Sequence, residues 1–195
     1  AEQFYARYPY ELSGGQQQRV VIAGALALDP SVIVADEPVS SLDASVRGEI
    51  LRLILDLRDA LSMSALVVSH DLGLAWNIAD RVAVMYLGRI VELGPVADVL
   101  LHPRHPYTQA LLAVLPGGHA RDESAQVLPG EPPDPARIPR GCRFHPRCPL
   151  RAVRLGTDER AQLCSTRDVA VLGAGNSDDH QAACHLLSGE RLTDQ

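Results

Sequence analysis

Lysine is absent from this 195-residue sequence: all eighteen basic residues are arginine. Chemistry that requires a lysine ammonium must therefore come from outside these residues. Long apolar runs are also missing. No stretch approaches the roughly 18 uninterrupted apolar residues of a membrane span, and the opening AEQFYARYPYELSGG lacks the basic-then-apolar order of a secretory signal. These absences predict a soluble, cytoplasmic chain. Nor is there an excess of positive charge. A formal net charge of -6 and a pI near 5.6 argue against a nucleic-acid partner, because binding a phosphate backbone takes clustered cations that release counterions.

Hydrophobic residues make up 46% of the chain, enough for a buried core. The sequence begins with Ala and enters a motif almost at once, so it reads as a fragment. Val20, Val21, Ala23, Ala25, Leu26 and Leu28 predict one apolar face of a helix over 16–28, stopped by Asp29-Pro30. Val32 to Ala35 is a short β-branched run of the kind that forms a strand buried in a parallel sheet, closed by Asp36-Glu37-Pro38. Helical spacing returns over 44–61, a second strand over 65–68 ends at Ser69-His70, and a third helix covers about 72–79. Alternation of this kind implies a parallel sheet packed with helices, whose ligands gather beyond the carboxyl ends of the strands. Residues 81–86 and 89–93 flank Leu87-Gly88 as a hairpin expected to close that sheet. From Leu115 a segment dense in Pro, Gly and charge reads as a linker, with a second module starting near Gly141.

Leu12-Ser13-Gly14-Gly15-Gln16 sets two glycines before a helix, where free N-H groups and the positive end of the helix dipole can meet a phosphate; a plain serine N-cap is the simpler use of such a pentapeptide. Asp36 offers a hard oxygen ligand for Mg²⁺. Glu37 offers a carboxylate that can orient or deprotonate a water, although acids also commonly just terminate strands. Ser41-Leu42-Asp43 is a polar turn. His70, at the next strand end, can reach a transferred phosphoryl group, while a lone histidine there is more often a surface or capping residue.

Taken in order, LSGGQQQR, VIVADEP, SSLD and VVSHD resemble the signature motif, Walker B motif, D-loop and switch histidine of ABC ATPases. YPYELSGGQQQRV, DEPVSSLDASVR, MYLGRIVELG, HPRHPYTQALL and the GEPP...GCRFHPRCP tail are similar to the oligopeptide/dipeptide importer branch in particular. The resemblance implies an α/β chain: the C-terminal portion of a P-loop (RecA-like) ABC ATPase domain over 1–100, a helix and Pro/Gly-rich linker over 101–139, and a small Cys-rich module over 140–195. It implies that Glu37 is the general base or water-polarising residue, that Asp36 holds Mg²⁺ through water, and that His70 stabilises the γ-phosphate. Asp43 would couple two sites across a dimer, and Ser13, Gly14, Gly15 and Gln16 would serve ATP bound on the opposing subunit. The implied partners are a second ATPase subunit, identical or related, the membrane permease subunits at the cytoplasmic face and, indirectly, an extracytoplasmic peptide-binding protein.

One departure from the family pattern follows from the missing lysine. The phosphate cradle G-x-x-x-x-G-K-[ST] does not occur, so no single copy holds a complete ATP site, and two copies would bring two signature motifs and no cradle. The isolated chain is expected not to hydrolyse ATP. A non-catalytic metal-binding or docking module is the alternative; chromosome-maintenance and DNA-repair ATPases share the signature but need heptad-bearing helices and DNA-facing cations that are not here.

All four cysteines, Cys142, Cys148, Cys164 and Cys184, fall in the final third, and disulfides are disfavoured in a reducing cytosol. Their intervals of five, fifteen and nineteen residues match no standard zinc finger, which makes zinc the second choice. The resemblance implies a four-iron four-sulfur cluster. His145, His180 and His185 can replace one thiol at a zinc ion but are not assigned as ligands.

Overall fold

A computed structural model describes residues 4–114, 128–131, 133–169 and 179–187. Of the linker expected from Leu115 to residue 139, residues 115–127 and 132 lie outside the described residues. The chain divides into two compact units, Ala1–Ile78 and Ala79–Gln195.

In the first unit, a 3-10 turn (Pro9–Glu11) leads into α1 (Gly14–Leu26), β1 (Val32–Asp36), α2 (Ala44–Leu61), β2 (Ser64–Val68) and α3 (Leu72–Ile78). β1 and β2 pair in parallel from Val32 opposite Ser64 to Asp36 opposite Val68, so both strands end at the same edge. α2 follows the N-cap residue Asp43 and stops where Ser62 turns left-handed at φ 52°. Its Ile50 and Ile54, one helical turn apart, join Ile22, Val39, Leu42 and Leu74 in the core. The helical face anticipated for α1 packs only in part: Leu26 lies against the core, Val20, Val21 and Leu28 are exposed, and Ile22, outside that face, is the buried residue. Apolar residues on more than one side of α1 left that face loosely defined, and the position of α2 decides which of them pack.

The described residues of the first unit cover the strands on one face. Val32, Val34, Leu66 and Val68 stand exposed on the other, where continuous apolar strands had predicted burial on both sides.

The second unit holds the hairpin β3 (Arg81–Tyr86) and β4 (Arg89–Pro95), then α4 (Val96–Leu101), α5 (Pro106–Ala113), α6 (Pro149–Arg154), α7 (Arg160–Thr166) and the two-residue β5 (Gln181–Ala182). Leu87 (φ 46°) and Gly88 (φ 75°) make the tight turn between positive-φ residues that matches strand twist. Val82, Val84 and Tyr86 alternate inward along β3. The hairpin does not close the β1–β2 sheet. It forms a sheet of its own, order β3-β4-β5, with β5 added antiparallel at the free edge of β4. Phe144, 1% exposed, packs edge-on against Tyr86 and Tyr107 and tilted against His105, giving this unit an aromatic centre.

Candidate functional site

The polar ends of β1 and β2 meet. Glu37, just beyond β1, donates its N-H to the Val68 carbonyl at 2.9 Å and adopts a left-handed φ of 47°, an uncommon backbone for a non-glycine residue. Its Oε1 accepts the His70 main-chain N-H at 3.1 Å and stands 2.6 Å from His70 Nδ1. Ser40 closes the turn by donating its N-H and hydroxyl to the Glu37 carbonyl. Glu37 and His70 thus arrive from successive strand ends and share one oxygen.

Around them lies a small cleft, about 60 Å³, lined by Glu37, Ser40, Arg47, Ser69, His70 and Asp71 among others. Such a volume has room for a few water molecules and not for a nucleotide. The cleft wall is held by its own loop bonds. Asp71 Oδ1 caps α3 through the Leu74 N-H, and Arg47 Nε donates to the Leu42 carbonyl at 2.7 Å. Motif reading had not singled out Ser40 or Arg47. Arg47 sits one turn after Asp43, a spacing that places it beside the turn and could have flagged it.

Asp36 is exposed at the end of β1, and alternation along the strand puts it on the face of Val32 and Val34, outside the cleft lining. Asp43 is the N-cap residue of α2, yet its carboxylate makes no capping bond and stays exposed. Ser13 caps α1: its Oγ accepts the Gln16 N-H while its own N-H donates to Gln16 Oε1, a reciprocal capping box. Gly14 and Gly15 form the first turn. A Cβ on Gly14 would meet Leu42 Cδ2 at 3.1 Å, and one on Gly15 would meet Val46 Cγ1 at 2.6 Å. The glycines therefore also let α1 approach the start of α2, a packing reason that sequence alone did not reveal.

In the second unit the four cysteines are brought to one region. Cys164 and Cys184 are buried with Ala161 and Leu186, and Cys142 packs against them. Burial pushes all four thiols up; the neighbouring sulfurs add to this at Cys164, which reaches about 12, and at Cys184, which reaches about 11. Three of the four have a countervailing device. Backbone N-H groups two and three residues downstream favour the thiolate at Cys142 (Phe144, His145), Cys148 (Leu150, Arg151) and Cys184 (Leu186, Leu187). A soft cation suits that donor set. Among the described residues, however, no three His, Cys, Asp or Glu side chains stand in a metal-holding arrangement. The thiols converge without being drawn into a ligand shell. The histidines have other partners: His145 Nδ1 lies against the Cys142 carbonyl, His185 Nε2 against the Arg167 carbonyl, and His180 Nε2 against Glu92.

No described helix is long and apolar enough to cross a membrane. Residues 1–40 match the family model described as ABC transporter, and residues 91–153 match the one described as oligopeptide/dipeptide transporter, C-terminal region. The chain is 51% identical to the dipeptide transport ATP-binding protein DppF of Haemophilus influenzae over 75% of its own length and 45% of the relative's. It is 53% identical to a probable peptide ABC transporter ATP-binding protein of Sinorhizobium fredii over 85% and 50%, respectively. Against the oligopeptide transport ATP-binding protein AppF of Bacillus subtilis it is 43% identical over 95% and 54%. The chain thus spans about half the length of the curated relatives it matches. With both family regions in one polypeptide, the chain belongs to the ABC-transporter ATP-binding proteins of the oligopeptide/dipeptide type.

Proposed function

We propose that the chain supplies the water-activating half of an ATPase site that powers uptake of oligopeptides or dipeptides across the cytoplasmic membrane. The observation that carries this is the Glu37–His70 pair, a carboxylate oxygen 2.6 Å from an imidazole nitrogen at the ends of adjacent parallel strands. Glu37 Oε1 is engaged by His70, which leaves Oε2 to orient an attacking water and accept its proton. With His70 Nδ1 set against Glu37, Nε2 is the ring nitrogen left to face a phosphate oxygen. Asp36, an exposed hard-oxygen donor at the strand end, would hold Mg²⁺ through water, and the metal would supply charge neutralisation on the phosphates. The signature residues Ser13, Gly14, Gly15 and Gln16, and Asp43 with its uncommitted carboxylate, serve the nucleotide across a dimer with a second ATPase subunit. The permease subunits and an extracytoplasmic peptide-binding protein complete the system, with the chain peripheral at the cytoplasmic face.

The lysine-bearing cradle must be added to the chain. The test is ATP turnover by the chain alone and by the same chain joined to a segment carrying G-x-x-x-x-G-K-[ST] from one of its relatives. The expected result is no turnover alone and turnover when joined. Hydrolysis by the pure chain that Glu37→Gln abolishes would overturn the assignment of an incomplete site.

For the cysteines we favour a four-iron four-sulfur cluster of structural role, with zinc second. The convergence of four thiols and the paired N-H groups at three of them support this. Anaerobically purified protein is expected to carry iron and sulfide and to absorb in the visible; stoichiometric zinc without iron would decide for zinc, and neither metal would sink the centre.

A further inference from the structure

Two sequence segments that the ATPase reading leaves without a task, MYLGRIVELG and HPRHPYTQALL, meet at one buried acid. Glu92, on β4, is fully buried. Its Oε1 accepts the Arg104 N-H at 2.7 Å and stands 2.7 Å from His180 Nε2; its Oε2 accepts the His105 N-H at 3.0 Å. A carboxylate out of water is tolerable only when donors of this kind surround it. Two of the donors are main-chain groups of the 103–105 turn. The third is a side chain from 88 residues downstream, four positions before Cys184.

Every residue between Asp179 and Cys184 is fastened to the hairpin or to that turn. Asp179 pairs with Arg81, and the His180 carbonyl accepts from the Arg104 guanidinium. Gln181 and Ala182 form β5 opposite Leu93 and Glu92. The Ala183 N-H donates to the Val91 carbonyl at 2.8 Å, and its carbonyl is met by the buried ring of His105. Gly94 makes room, since a Cβ there would approach the His180 ring at 3.0 Å and its backbone at 3.1 Å. The two-residue strand is too short to hold itself on the edge of β4. The carboxylate supplies the missing attachment.

We propose that Glu92 is a positioning residue, a buried receptor that captures His180 and so docks the segment delivering Cys184 beside the other three thiols. Three cysteines lie between Gly141 and Thr166, so the fourth reaches them only while this clamp is closed. Opening the clamp withdraws Cys184 and leaves the rest of the thiol cluster in place. The proposal requires only that the thiols cluster, and stands whether or not they hold iron.

The test is native-state alkylation of the four cysteines by N-ethylmaleimide in the reduced full chain after metal removal by chelator, read at each site by peptide mass spectrometry. Glu92→Gln keeps the side-chain volume while its amide NH₂ faces donors, and His180→Ala removes the captured ring. Each is expected to raise the Cys184 alkylation rate roughly tenfold or more, because a buried donor set left unmatched favours local opening. Cys142 and Cys148 should change less than about twofold, since their segments are anchored separately. His180→Gln, which restores an N-H donor near the position of Nε2, should return Cys184 towards its original rate, and Glu92→Gln with His180→Ala should be no faster than either alone. Unchanged Cys184 reactivity in both single variants, equal acceleration of all four cysteines, or additive effects in the double variant would each overturn the clamp. Iron and zinc contents of the unstripped protein are measured separately, so an empty cysteine centre is told apart from a failed clamp.

Discussion

In the chain completed with a lysine-bearing glycine loop, Glu37→Gln is expected to lower ATP turnover by about 10²–10⁴-fold while nucleotide affinity stays within a factor of about three. The split follows from the geometry. Glutamine keeps an oxygen to accept the His70 N-H, so the strand ends remain joined, and nothing in the cleft that would touch a resting nucleotide is removed. What disappears is an anionic oxygen able to take the proton of an attacking water. An interaction used only as charge develops appears in kcat, whereas one used equally in the ground state appears in KM. His70→Ala is the informative companion, because it removes the ring and leaves Glu37 Oε1 only the main-chain N-H of residue 70. Single-turnover hydrolysis together with equilibrium nucleotide binding separates the two parameters. Turnover unchanged in Glu37→Gln, or lost entirely through weaker binding, would remove Glu37 from the chemistry.

The elements of the first unit were legible because their signals are local. A β-branched run ended by Asp36-Glu37-Pro38, a helical period ended at Leu61, and a run ended by Ser69-His70 suffice to place two strand ends, and parallel pairing then brings Glu37 to His70. The packing choices between elements were not written locally. Nothing in LSGGQ announces that Gly15 must lie against Val46, because the contact joins residues far apart in the chain on two different helices. The exposed face of β1 and β2 has a related cause. Their sequence is that of strands covered on both sides, and the described first unit covers one.

The second unit was less readable still. The turn Leu87-Gly88 identifies the hairpin, but its third strand, Gln181–Ala182, has no alternation and its partners Leu93 and Glu92 lie far back along the chain. The sequence places Glu92 only as one residue of a hairpin arm, and offers His180 only as a spare ligand for zinc. Only the fold shows that they satisfy each other. Polar residues whose partners lie far along the chain defeat periodicity, which reports a residue's side of an element and not what waits there.

Gly141 gives the other large expected effect. It opens the cysteine module at φ +70°, and a Cβ there would lie 2.6 Å from the Cys164 carbonyl oxygen, 2.9 Å from Ser165 C and 3.0 Å from Thr166 N. All three are backbone atoms at the end of α7, which cannot swing aside as a flexible side chain would. The same crossing carries the Cys142 N-H bond to the Cys164 carbonyl at 2.9 Å, so relief of the clash would stretch the contact that joins two thiol-bearing segments. Gly130 supplies the control: its φ is also +70°, with no atom of the described residues within 4 Å of its Cβ position. Gly130→Ala should therefore cost only the left-handed backbone term, about 1 kcal/mol, whereas Gly141→Ala should cost about 3–5 kcal/mol. A urea titration of the reduced, metal-free chain, read by modification of buried Cys164, measures both on the same unit. Equal losses in the two variants would mean that the module yields at Gly141 and that the close crossing does not hold Cys142 against Cys164.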